Sequence, residues 1–130
     1  MRITNLLCSF ALLTLAGTST ASAETIDPNS DFDCSVTFEF FHRVAKAKQA
    51  PADLLEEVLI MGLWFETKWN QEHPGEDARR SEHFFAMLKD LGDNPKAHRD
   101  TLNSCSERAN ADPVFNVFAT ELRKSAPAKP

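Results

Sequence analysis

Few side chains in this sequence have types and spacings that suggest chemistry, and each can be taken in turn. Histidine occurs at His42, His73, His83 and His98. A metal ion held on a helix wants ligands at i and i+3 or i+4. The nearest approach is Glu39 with His42, a single Glu-x-x-His lacking the second copy that a bundle-core site uses. No metal site is expected. Haem attachment through Cys-x-x-Cys-His is ruled out by the absence of that motif, and Met61 and Met87 lie in apolar stretches where packing accounts for them. No cofactor is expected. There is no Gly-x-Ser-x-Gly elbow, and the four glycines form no phosphate loop. Glu56-Glu57 falls in the opening turns of a helix, where the macrodipole already favours acid. The chain is read as a non-enzyme that acts by binding.

The cysteines are the other reactive group, and their chemistry depends on compartment. Met1-Arg2 gives a positive start, Leu6 to Leu15 is an apolar run broken only by Cys8, Ser9 and Thr14, and Ala21-Ser22-Ala23 has a small-x-small cleavage pattern. Residues 1–23 are therefore expected to be a secretory signal, with a periplasmic or secreted product beginning at Glu24. Cleavage would discard Cys8 and leave Cys34 and Cys105. In an oxidising compartment these are expected to form one intramolecular disulfide, with an intermolecular bridge or a free redox pair as the alternatives. No Cys-x-x-Cys spacing supports a redox pair.

Loss of Arg2 turns 14 Lys and Arg into 13, against 19 Asp and Glu, a net charge of −6 for the product. That sign argues against nucleic acid and against an anionic membrane surface as partner. No apolar run after the leader approaches the ~20 residues of a membrane span, so no membrane insertion is expected after cleavage. Below about pH 3 the balance inverts, because neutralised carboxylates leave the basic groups and histidinium ions unopposed.

Stepping along the chain, residues 24–33 are polar and read as an extended lead-in. Every later patterned segment follows the helical period, and strand alternation is absent. The fold expected is all-α, a small bundle of four to five helices stapled by one disulfide, over residues 34–124, with a flexible tail at 125–130. A first helix is predicted from about Cys34 to Gln49, with an apolar arc wide enough for more than one neighbour. A second starts at Pro51 and runs to about Glu72; Leu55, Val58, Gly62, Phe65 and Trp69 form a 3,4,3,4 seam with Gly62 permitting close approach. A third spans about Asp77 to Leu91, with Gly92 as a left-handed stop. Asn94-Pro95 and Asp112-Pro113 repeat one device, a capping side chain before proline, and are predicted to open helices at about Pro95 and Pro113.

Two features stand out on these elements. Ile60, Leu63 and Trp64 project from the second helix away from its seam and need a cover, which is either the fifth helix or another chain, including a second copy in a homodimer. They form the candidate partner-binding patch. His98 shares the inner stripe of the fourth helix with Leu102 and Cys105, and is the candidate pH-sensing residue: a histidine buried neutral there would lose stability on charging as pH falls.

The order of parts resembles the small periplasmic acid-stress chaperones of the HdeA type. The shared features are a leader, a cysteine opening the first helix, an apolar central helix, a second cysteine and a short terminal helix. The run from Cys105 to Pro113 followed by an apolar helix is similar to that family's region after its second cysteine, and Met61-Gly62-Leu63-Trp64 to its glycine-aromatic element. The cysteines stand further apart here, and an extra helix lies between them. The resemblance implies acid-triggered exposure of apolar surface to unfolded client proteins. The alternative expectation is a constitutive interaction module, a small inhibitor or envelope-complex subunit.

Overall fold

The computed structural model describes residues 26–127; the leader expected over 1–23, with its Cys8, and the last residues of the expected tail lie outside them. Five helices follow one another: α1 Asp31–Ala47, α2 Ala52–Glu72, α3 Glu82–Asp93, α4 Arg99–Ala111 and α5 Pro113–Ser125, with a 3₁₀ turn at Ala78–Arg80 before α3. Among the described residues there is no strand, and the protein is an all-α domain stapled by a Cys34–Cys105 disulfide.

The first helix begins three residues earlier than its sequence suggests. Asp27 to Ser30 form a turn, with Ser30 N–H on the Asp27 carbonyl and Asn29 N–H on the Asp27 carboxylate. Ser30 then caps α1 by accepting from Asp33 N–H at 3.2 Å. Residues 26–33 are thus a buried anchor and a capped helix start, not an extended lead-in: Ile26 packs with Phe32, Val36, Met87 and Leu91. α1 ends in a Schellman arrangement, Ala50 N–H reaching Ala45 O and Gln49 N–H reaching Lys46 O, with Gln49 in the left-handed region at φ 57°.

Two other boundaries move for identifiable reasons. Ser81 accepts from Phe84 N–H and starts α3, so the segment predicted to begin a helix at Asp77 makes only a 3₁₀ turn first. Asn94 does not open α4. Its amide points back to Asp90 at 3.1 Å and its N–H closes α3, which leaves residues 95–98 as a turn and α4 starting at Arg99. Gly92 consequently lies within α3 and stops nothing. Asp112-Pro113 behaves as expected, the aspartate accepting from Val114 N–H at 2.9 Å.

Packing centres on α1 against α2, the largest interface in the molecule. A Cβ added at Gly62 would meet Phe38 Cβ at 3.2 Å, so the glycine is what lets the two helices approach this closely. The wide apolar arc of α1 serves two cores. Cys34 and Phe38 face Phe65, Trp64, Cys105 and Phe115, while Phe32 and Val36 face Ile26, Met87 and Leu91 of the α3 side. The disulfide joins the first turn of α1 to the middle of α4, encloses α2 and α3, and leaves α5 outside the covalent loop.

Two outcomes follow. Gly62→Val should lower stability by about 1–3 kcal/mol in urea unfolding, because the atom met is Phe38 Cβ, which rides on the α1 backbone and can yield only if the two helices part. Cys34→Ser with Cys105→Ser should cost roughly 4 kcal/mol, the loop-closure entropy restored to the unfolded chain.

Candidate functional site

A cleft lies between α1 and α2, closed at one side by Arg79 of the 3₁₀ turn. It has a volume of 410 Å³, with apolar walls from Phe38, Val58, Leu59 and Leu63. The position follows from the seam: Gly62 brings the helix axes together, and the side chains one turn to either side diverge toward solvent. Leu59 is left 44% exposed at the edge of this cleft, and Leu54 further along α2 is 45% exposed.

A chain of ion pairs lies across the cleft on α1, α2 and the 3₁₀ turn. Glu39 binds Arg43 at 2.6 Å and Arg79 at 2.7 Å, and Arg79 continues to Glu66 at 3.5 Å. Partial burial pushes the Glu39 carboxyl up, but hydrogen bonds and charge from Arg79, then Arg43, outweigh it and hold the group below its ordinary value of 4.5. Arg79 is moved the other way: burial lowers it, and its bond and charge contact with Glu39, with help from Glu66, raise it above its ordinary range. Glu39 is the clasp of the cleft. Its i+4 partner Arg43 is readable from spacing, whereas Arg79, forty positions away, carries no sequence signal that pairs it with Glu39.

The candidate patch on α2 is largely covered. Ile60 and Trp64 are buried, with the Trp64 ring 5.9 Å from Phe115 and 5.2 Å from Phe118 of α5. The fifth helix is therefore the cover, and Ile60 with Trp64 offers no open docking surface in this fold. Leu63 alone remains half-buried and contributes to the cleft. Trp64 Nε1 is buried with no protein acceptor in reach.

His98 is placed at the start of α4, its side chain 12% exposed and its Nε2 3.0 Å from Asp90 of α3. The contact lacks hydrogen-bond geometry and is an ion pair only with a protonated imidazole. The imidazole thus faces a carboxylate across the α3–α4 joint as well as the inner stripe. A second histidine contact has better geometry: His83 Nε2 donates at 2.8 Å to Asp33, whose side chain is only 3% exposed and whose other oxygen accepts from Asp27 N–H. Nothing in the sequence singles out that pair.

The disulfide is fully buried, and Arg108 lies beside it, donating to Pro28 O at 2.7 Å and Asp31 at 2.6 Å with Cys34 Sγ 3.4 Å away. Among the described residues, no three of His, Cys, Asp or Glu gather where a metal ion could be held, and Glu39 of the Glu-x-x-His pair is occupied by two arginines. No described helix is long and apolar enough to cross a membrane. No protein-family model matches this chain, nor does any curated protein or solved structure.

Because Glu39 is held below its ordinary value, it contributes stability that is present above that value and lost as pH falls through the lower, folded one. Glu39→Gln should therefore be less stable than the parent at pH 7, by a few tenths to about 1 kcal/mol given solvent screening, with the difference closing in acid. Urea unfolding at pH 7, 5 and 3 checks it.

Proposed function

We propose that this chain is an exported, stress-protective binding protein that takes up unfolded or acid-damaged proteins of the envelope. One observation carries the reading: a cleft between α1 and α2 has an apolar wall beside a charged one, and the charged wall is tied together by the Glu39 carboxylate. At neutral pH, Glu39 ties Arg79 and the 3₁₀ turn to α1, beside walls of Phe38, Val58, Leu59 and Leu63. Protonation of Glu39 removes its attraction to both arginines and leaves Arg79 held by Glu66 of α2 alone, so the turn can part from α1 and the apolar wall can meet client side chains. The chemistry needed is non-directional apolar burial, which suits clients of varied sequence.

The buried disulfide suits an oxidising, extracytoplasmic compartment, where such bonds persist. The acidic balance of 19 Asp and Glu supports the trigger, since carboxylates are the groups that discharge in acid. The part order shared with HdeA-type chaperones points the same way. Binding through apolar surface, without cofactor or bond-making step, is the activity proposed.

Light scattering of an aggregating client between pH 2 and pH 7 tests the reading, with and without the oxidised protein. Suppression is expected only in acid. Glu39→Gln, which imitates the protonated clasp, should move its onset toward neutral pH. Absence of suppression at every pH would overturn the proposal, and suppression whose onset ignores Glu39→Gln would remove the clasp from it.

A further inference from the structure

The cleft between α1 and α2 has two unlike walls. Phe38, Val58, Leu59 and Leu63 make one of them apolar, and Glu39, Arg43, Glu66 and Arg79 make the other charged. A surface that only buried apolar side chains of other proteins would need the first wall and not the second. The two together match a molecule with an apolar body and a charged end.

The sign of that end follows from which atoms of the charged wall are already engaged. Both oxygens of Glu39 are taken, Oε1 accepting from Arg43 and Oε2 from Arg79. The guanidinium groups keep donors in reserve. Each carries five N–H groups, of which Arg43 directs Nη2 to Glu39, and Arg79 directs Nη1 to Glu39 and Nη2 to Glu66. Their side chains are also the more open, 77% exposed at Arg43 and 41% at Arg79 against 33% at Glu39. This wall therefore offers a ligand N–H donors on fixed positive charge. Glu66 has one oxygen to spare, which favours an anion seated toward Arg43, the arginine that Glu66 does not touch.

We infer that the cleft binds a single-chain amphiphile ending in a phosphate monoester, its alkyl chain on Phe38, Val58, Leu59 and Leu63 and its phosphate on Arg43 and Arg79. A phosphate monoester has three terminal acceptor oxygens, so it can take N–H groups from both arginines while Glu39 stays bonded to each. A carboxylate has two, and competes with Glu39 for the same forks. The volume of 410 Å³ falls within the ~300–1,000 Å³ of small-molecule sites. A bilayer does not suit this chain, because its 19 Asp and Glu against 14 Lys and Arg oppose an anionic surface, whereas one enclosed molecule meets the arginines locally. The inference stands on the two walls and not on client uptake, which the scattering experiment tests separately.

Isothermal titration of the oxidised chain at pH 7 with dodecyl phosphate, kept below its micelle concentration, reads the site. One molecule is expected per chain, bound about tenfold or more tightly than dodecanoate or dodecyltrimethylammonium, and inorganic phosphate at the same concentration is expected not to bind. Arg43→Gln should weaken the binding about tenfold, and Leu59→Asp at the cleft's edge should abolish it. Arg80→Gln, whose arginine pairs with Asp77 and does not line the cleft, should leave it unchanged. No binding of dodecyl phosphate overturns the inference. So does equal binding of dodecyltrimethylammonium, which would mean that the apolar wall acts alone, or of dodecanoate, or of inorganic phosphate, an ion site without a chain. An affinity that Arg43→Gln lowers no more than Arg80→Gln also overturns it. Since Leu59→Asp can loosen the packing of α2, Arg43→Gln and the ligand series decide the matter without it.

Discussion

Seven consecutive residues of α1, Phe32 to Phe38, are buried, and a helix enclosed on every side places strict demands on its neighbours. Its apolar members must be met from several directions, which is why α2, α3 and α4 all touch it. The polar members, Asp33, Ser35 and Thr37, cannot be left unpaired at the cost that burial exacts. Ser35 and Thr37 turn their hydroxyls back on the carbonyls of Phe32 and Asp33, each at 2.8 Å. Asp33 is answered by Asp27 N–H and His83. The enclosed turns also carry Cys34, so the covalent staple, the two cores and the cap all converge on one stretch. Whatever moves in this molecule must move around α1.

That arrangement separates two kinds of joint. The disulfide and the apolar contacts of α1 have no titratable partner between them. Beside the apolar packing of α3 and α5, elements are tied by pairs that set a carboxylate against a basic side chain: Glu39 and Glu66 with Arg79, Asp33 with His83, Asp90 with His98, Asp31 with Arg108. Protonation of Glu39 therefore acts on one of these joints while the disulfide and the apolar contacts stay in place. The state expected of a chain built this way is one with loosened helices around a retained covalent loop, which differs from global unfolding.

The helical class, the α2 seam, the close approach at Gly62 and the Asp112-Pro113 start were legible because each is encoded within four residues or fewer. The cysteine pair was legible for a different reason: few thiols and an expected leader left one simple partner. Start and stop signals failed where two local uses of one side chain competed. Asn94 had the right type and position to open α4, but Asp90 was nearer. Ser30 with Asp33 carries a serine-x-x-acid start signature, hidden by the polarity of the residues before it. The cleft was not legible. Its clasp joins residues forty apart, and nothing in a linear pattern distinguishes Arg79 from Arg80, which pairs with its neighbour Asp77.

The patch on α2 shows how a correct reading of exposure can mislead about function. Ile60, Leu63 and Trp64 do project away from the α1 seam, and their apolar character does demand a cover. The chain supplies it from α5, outside the covalent loop. Phe115 and Ala119 join the same core as Cys34 and Phe38 of α1, so the cover belongs to that core although no covalent bond ties it there. An apolar group that projects away from its own seam therefore shows that a cover is needed, while which element supplies it is decided by packing between residues some fifty positions apart.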